Sequence, residues 1–302
     1  MAANPFYWDD LLEFIVEGRN VIPVVGRDLL TIGAGSGSVR FDTLLARRLV
    51  EYLPDLDPCD DLAAVIAAQL KRSGRKIDLT RVLKRAHDDL VGKIPLPEPL
   101  RQLAEIRDFR LFLSTTTDGW LARALQEGRG VEPRILGAGT GAGDDLPPDW
   151  AVSDQPALFH LFGRIAATPG FALTEEDMLE FVWTNQTPER RPQRLFDVLR
   201  QSHVLLLGHS FPDWFTRFFL RLMKGSRLSE QPETIEALAD EGTRGRREAT
   251  LVTFLEHFSP QTRVYEEGGA VEFVRELHAR WRTRSTPAHA APGQYEPDDI
   301  VA

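Results

Sequence analysis

The 302-residue chain predicts an α/β fold: a doubly wound, mostly parallel, Rossmann-like sheet with a helical insertion between its first two strands. Three observations predict it. Short, mostly apolar runs recur at residues 21–25, 111–114, 157–162 and 204–207. Each run ends in glycine or small polar residues, and stretches with helical spacing separate one run from the next. Strands buried on both faces and joined by helical crossovers have this pattern.

Trp8, Leu11, Leu12, Ile15 and Val16 fall at helical spacing and Gly18 stops them, so residues 7–17 open the chain as a helix. Asn20-Val21-Ile22-Pro23-Val24-Val25 is a short buried strand, and Gly26-Arg27-Asp28 turns away where backbone amides can approach a phosphate. Gly33-Ala34-Gly35-Ser36-Gly37-Ser38 does not directly follow that strand and lacks dinucleotide-loop spacing, so it reads as a flexible loop or hairpin tip. Helical patterns fill residues 41–52, 60–71, 79–90 and 98–106, with breaks at Leu53-Pro54 and Lys93-Ile94-Pro95-Leu96-Pro97. They make an insertion at about 41–107.

Residues 111–114 are the next strand, and Ser114-Thr115-Thr116-Thr117-Asp118 puts four hydroxyls and a carboxylate at its end, ahead of a helix over 120–126. A third strand is expected at 134–136 and a surface loop at 137–148. Residues 157–163 read as a strand ending at Gly163, after which Thr174 caps a helix with an acidic first turn and residues 192–201 form another. Val204-Leu205-Leu206-Leu207-Gly208 is the most apolar strand. His209-Ser210-Phe211-Pro212-Asp213 turns it into a helix over 214–223, whose Trp214, Phe215, Phe218, Phe219 and Leu222 suit core or interface packing. Asp213 suits a helix cap. Residues 249–254 and 262–265 are expected as strands, 271–282 as a terminal helix, and 285–302 as a linker-like tail behind a domain of residues 1–284.

A formal net charge of −9 argues against affinity for nucleic acid through phosphate neutralisation. Lys71-Arg72-Ser73-Gly74-Arg75-Lys76 is accordingly read as a solvated loop face. The lone Cys59 excludes an intrachain disulfide and any cysteine-based metal cluster, and it fits a reducing compartment. No basic residue precedes Arg19, which speaks against a secretory signal, and no apolar run has the length of a membrane span. The expectation is a cytoplasmic protein without a membrane partner.

In such a sheet, ligands bind beyond the carboxyl ends of the strands. Gly26, the residues from Thr115 to Asp118, those from His160 to Gly163, and Gly208 to Ser210 would converge there. The order of four segments, Val24-Val25-Gly26-Arg27-Asp28, Ser114 to Asp118, His160 to Gly163 and Leu205 to Asp213, resembles the sirtuin-like (SIR2-like) family, particularly its bacterial NAD-hydrolysing defence branch. That family carries a G-A-G-x-S loop, a T-T-N-x-D segment, an H-G pair, and a late strand ending in G-x-S with a following Asp. The resemblance covers roughly residues 7–284. It implies NAD or an ADP-ribose-like nucleotide as ligand, near Gly26, Arg27, Asp28, Thr115, Thr117, Gly163, Gly208, His209 and Ser210, with no metal. It also implies a homo-oligomer or a fused or associated effector domain in antiphage defence.

The departures fall on chemistry. Arg27 and Asp28 stand where small residues normally admit a pyrophosphate, Thr116 stands at the family's asparagine, and Phe162 at its catalytic histidine. A phenyl ring cannot act as a general base. Two readings follow. One is a catalytically degenerate pocket with a sensing, regulatory or oligomerisation role. The other is an active NAD glycohydrolase, in which Thr116 and Asp118 position ribose and water and His160 gives acid or base assistance. For His160 the competing reading is a partly buried strand histidine bonded to a neighbour, and for His209 a loop histidine. Lysine deacylation is the poorer third reading, since the sirtuin zinc module needs four cysteines.

Overall fold

The computed structural model describes residues 7–18, 21–33, 37–137, 143–187, 189–209, 213–225, 227–230, 234–239, 250–258 and 262–285. Helix α1 (Trp8–Val16) leads into β1 (Val21–Val25), and a single 3-10 turn carries the chain into an antiparallel hairpin, β2 (Thr31–Ile32) and β3 (Val39–Arg40). Next come α2 (Phe41–Glu51), α3 (Leu62–Ser73), α4 (Lys76–Val91) and α5 (Glu98–Glu105), then β4 (Leu111–Ser114), α6 (Trp120–Arg129), β5 (Arg134–Gly137) and β6 (Ala157–His160). The second half holds α7 (Glu175–Gln186), α8 (Gln193–Arg200), β7 (His203–Leu207), α9 (Asp213–Lys224), β8 (Glu236–Ala239), α10 (Thr250–Phe258), β9 (Thr262–Val264) and α11 (Ala270–Ser285).

Seven strands form one parallel sheet in the order β5-β6-β4-β1-β7-β8-β9. Starting from β1, the chain builds outward through β4 to β6 and then returns to lay β7 on the other side of β1. The direction of winding therefore reverses between β1 and β7, where open α/β sheets have their crevice. Burial follows the period of two. Val21, Val25, Phe112, Leu158, Leu205 and Leu207 face one core with α1, α2, α5, α6 and α11. Ile22, Val24, Leu111, Leu113, Phe159, Val204 and Leu206 face the other, with α8 and α9.

Several expectations change. Within the 41–107 stretch Leu100, Leu103 and Ala104 of α5 join the same core as residues of α2, α3 and α4, and Arg129 of α6 donates to the Ala104, Ile106 and Phe109 carbonyls at 2.7–2.9 Å. Helices α2, α3 and α4 pack on one another as an added layer. Residues 250–254, expected as a strand, belong to helix α10; Leu251, Phe254, Leu255 and Phe258 have i, i+3, i+4, i+7 spacing, and the Phe254 and Phe258 rings lie 5.0 Å apart. Ala249 lies outside the described residues, as do residues 286–302 of the expected tail. Strand β8 comes from a stretch that reads as a polar connection. Its Glu236 is buried against Lys224 of α9 and accepts from Thr262 at 3.2 Å. A buried ion pair thus hides a central strand from hydropathy reading. Glycine-rich residues 33–38 bridge β2 and β3 as a hairpin connection, of which residues 34–36 lie outside the description.

Strand β1 approaches the end of β7 closely. Gly26 N donates to Leu207 O at 2.8 Å and Asp28 N to Gly208 O at 3.3 Å. A Cβ on Gly26 would sit 2.2 Å from Gly208 O and 2.7 Å from His209 Nδ1. Gly208 itself has φ +71° and packs against Asp28. Gly26→Ala is expected to destabilise the fold by about 1–3 kcal/mol, because two backbones rather than a flexible side chain must yield. Gly37→Ala, with open space around the added methyl, is expected to stay within about 0.5 kcal/mol of the parent. Urea unfolding of the two variants side by side checks the contrast, and equal midpoints would refute it.

Candidate functional site

A cavity of about 270 Å³ lies between the ends of β1, β4 and β7, the added layer of α2, α3 and α4, and the start of α7. Arg27, Thr115, Thr116, Thr117, Asp118 and His209 line it, so these sequence candidates are brought together. Gly26, Asp28, His160, Gly163 and Gly208 are not in its wall. Ser210 lies outside the described residues.

Each hydroxyl-bearing residue after β4 is engaged locally. Thr115 N extends the ladder to Val25 O at 3.0 Å, its hydroxyl donates to the same oxygen at 3.0 Å, and His209 Nδ1 lies 3.3 Å from that hydroxyl. Thr116 N donates to Ser114 Oγ at 3.2 Å, and the two hydroxyls lie 3.0 Å apart. Thr117 O accepts the Ile165 amide at 2.7 Å. Asp118 accepts the Trp120 amide at 2.8 Å, closing the first turn of α6 where the capping Gly119 has no side chain to do so. Burial raises its carboxyl above the ordinary carboxylate range, against hydrogen bonds from Trp120 and Thr116 that pull it down.

The two candidate histidines are both withdrawn from solvent. Strand β6 ends at His160, short of the expected 157–163, so Leu161 and Phe162 belong to the following turn and Phe162 does not share a strand face with His160. His160 is 1% exposed, beneath the loop after β4, with Nδ1 3.4 Å from Thr116 O and Nε2 buried without a hydrogen-bond partner. Burial lowers its pKa to about 4, and His209 is lowered to about 4 for the same reason. Phe162 lines the cavity and packs into the opposite core, its ring 5.3 Å from Phe181 and 5.5 Å from Phe215. Gly163, at φ +71°, lies so close to the chain at Gly170 that a Cβ would meet Gly170 O at 2.6 Å. Its missing side chain serves loop packing.

Sequence reasoning missed a charged network at the cavity edge. Arg27 reaches Asp42 at 3.4 Å, and Arg40 bridges Asp42 at 3.2 Å and the buried Asp28 at 3.3 Å. Hairpin β2–β3 puts Arg40 beside Asp28, a proximity that no local pattern announces. It also missed the far wall, which Leu30, Phe41, Leu45, Leu62, Ile66 and Leu83 supply, and its link to α7. Thr174 and Asp177 form a capping box at the start of α7, and Asp177 pairs with Lys76 of α4, tying that helix to the added layer.

The described cavity is small for an intact NAD. The cavity is below the roughly 300–1,000 Å³ that holds drug-sized ligands, and a dinucleotide is larger than most of those. At the β1–β7 reversal the close approach of Gly208 and the His209 ring leaves no room for a Cβ on Gly26.

Residues 110–256 match a family model described as SIR2-like domain. No curated protein matches the chain. Among solved structures, a Sir2 homologue mutant in complex with ADP-ribose is similar at 12% identity and a TM-score of 0.45, over 91% of this chain and 97% of that one. Among the described residues no helix is long and apolar enough to cross a membrane. The match to the SIR2-like domain model runs from the threshold of β4 into α10.

Proposed function

We propose that this chain is a catalytically silent SIR2-like module that senses a small nucleotide-derived ligand, in a bacterial protein of the antiphage-defence type. The observation that carries the reading is the state of its acid–base groups. Phe162 occupies the place the sirtuin resemblance gives to the catalytic histidine, and its ring is locked between Phe181 and Phe215. His160 lies outside the cavity wall, His209 is enclosed beside Thr115, and burial depresses both far below neutrality. General acid–base catalysis works best with a pKa near the working pH and with the group in reach of substrate. Asp118 is committed to the start of α6, and Thr116 to Ser114 and Asp118. What persists is a half-enclosed pocket with convergent polar groups, which suits binding without turnover. A cytoplasmic setting and a homo-oligomer or effector-linked assembly belong to the same reading.

The alternative, an NAD glycohydrolase, draws on one observation: Thr116 and Asp118 both face the cavity. Positioning and fixed dipoles can contribute several kcal/mol to a reaction without a titrating group. Chromatography of NAD after prolonged incubation with the purified chain separates the two. Intact NAD is the expected result. Cleavage at about 1 s⁻¹ or faster, an ordinary enzymatic rate, that disappears in Thr116→Ala or Asp118→Ala would overturn the sensing reading.

The histidines supply a second check. Because burial lowers the folded pKa from 6.5 to about 4, the unfolded chain takes up a proton first as pH falls. Their contribution to stability is complete above about pH 6.5 and is lost as pH drops from there toward 4. In NMR titration the ring signals of His160 and His209 are expected to stay flat from neutrality down to about pH 5. A midpoint near 6.5 for either ring in the folded protein would contradict the argument.

A further inference from the structure

The cavity collects the N-termini of four helices. Phe41 and Asp42 bring α2 to its wall, Leu62 and Ala63 bring α3, Asp118 stands at the entry to α6, and Thr174 and Glu175 begin α7. Helix N-termini ordinarily draw anions, because their first N–H groups lack intrahelical partners and the dipole is positive there. Here the chain places its own carboxylate at every one. Asp42 accepts the Thr43 amide at 2.8 Å, and Asp61 accepts those of Ala63 and Ala64 at 2.9 and 3.4 Å. Asp118 takes Trp120 at 2.8 Å, while Asp177 takes Leu173 and Thr174 at 2.8 and 3.1 Å. Glu175 and Glu176 add further negative charge to the first turn of α7.

Among the described residues lining the cavity, Arg27 is the one fixed cation, and Asp42 already engages it. Within the cavity wall a phosphate would therefore meet Asp42 beside α2 and Arg27, Asp118 at the entry to α6, and Glu175 at the start of α7. Repulsion of that kind is strongest in a partly enclosed, poorly solvated space. The opposite wall, from Leu30, Leu45, Ile66 and Leu83 round to Met178, offers apolar contact instead.

We propose that this cavity receives a compact, phosphate-free molecule with an aromatic or aliphatic body and an uncharged or cationic hydrogen-bonding head, and does not receive a dinucleotide. The head faces the residues from Thr115 to Asp118, and the body lies against the aliphatic side of α2, α3 and α4. This rests on the ligand-sensing reading and names the chemical class that the pocket selects.

The test is a ladder of three probes titrated calorimetrically into the full chain: nicotinamide riboside, its 5′-mononucleotide, and NAD. The cationic, phosphate-free riboside is expected to bind most tightly, with affinity falling at least about tenfold when the phosphate is added. Ala63→Phe, which fills the cavity from an exposed position, is expected to abolish riboside binding and leave the unfolding midpoint unchanged. Asp42→Asn releases Arg27 and is expected to narrow the gap between riboside and mononucleotide by about tenfold. Mononucleotide or NAD binding as tightly as the riboside, without turnover, overturns the phosphate-free class and leaves the sensing reading standing. Turnover of NAD overturns the sensing reading itself. Failure of the riboside to bind at millimolar concentration, or undiminished binding by Ala63→Phe, overturns the proposal.

Discussion

The contact on which the site depends is the one between Gly26 and Gly208. In a doubly wound sheet, the connections leaving two adjacent strands diverge at the reversal of winding, and a ligand uses the crevice beyond the strand ends. Here backbone packs closely at that reversal. The Asp28 amide bonds Gly208 O, the Gly26 Cα rests against the same carbonyl, and the His209 ring fills the remaining space beside Thr115. The free volume lies toward α2, α3 and α4, in a chamber with a largely aliphatic wall on that side.

Much of the fold was legible because period and punctuation are local properties. Four of the strands at the centre of the sheet are short runs that end in Gly or hydroxyl residues, and the capping of α7 by Thr174 reads directly from its sequence. What escaped was decided at long range. Strand β8 holds a glutamate whose partner, Lys224, arrives from the preceding helix, so its burial could not be inferred from its own residues. Helix α10 was misread because Thr250-Leu251-Val252-Thr253-Phe254 suits a strand until Leu255 and Phe258 complete the helical spacing.

The site was legible in outline and not in its chemistry. Thr115, Thr116, Thr117, Asp118, Arg27 and His209 do meet at one cavity, since strand ends in register must converge. His160 was placed by register as well, opposite Ser114, yet its ring turns beneath the loop and away from the cavity. Whether a strand-end side chain faces a ligand or the packing below depends on the residue at which the strand stops. That in turn depends on Gly163 folding tightly over Gly170. The Arg27–Asp42–Arg40–Asp28 network needs the hairpin and the start of α2 to be in place before any of its pairs can form.

The central position of β1 bears on autonomy. Its neighbours β4 and β7 both lie within the span matched by the SIR2-like family model, whereas β1 lies some eighty residues upstream of that span. A chain cut to residues 110–256 would contain the two strands that β1 joins and nothing to join them. Both would present unpaired amides and carbonyls along buried, strongly apolar edges, a condition that favours association with other chains over folding. The matched span and the folding unit of this chain are therefore different objects. The smaller becomes a stable sheet only when the larger threads its first strand through the middle.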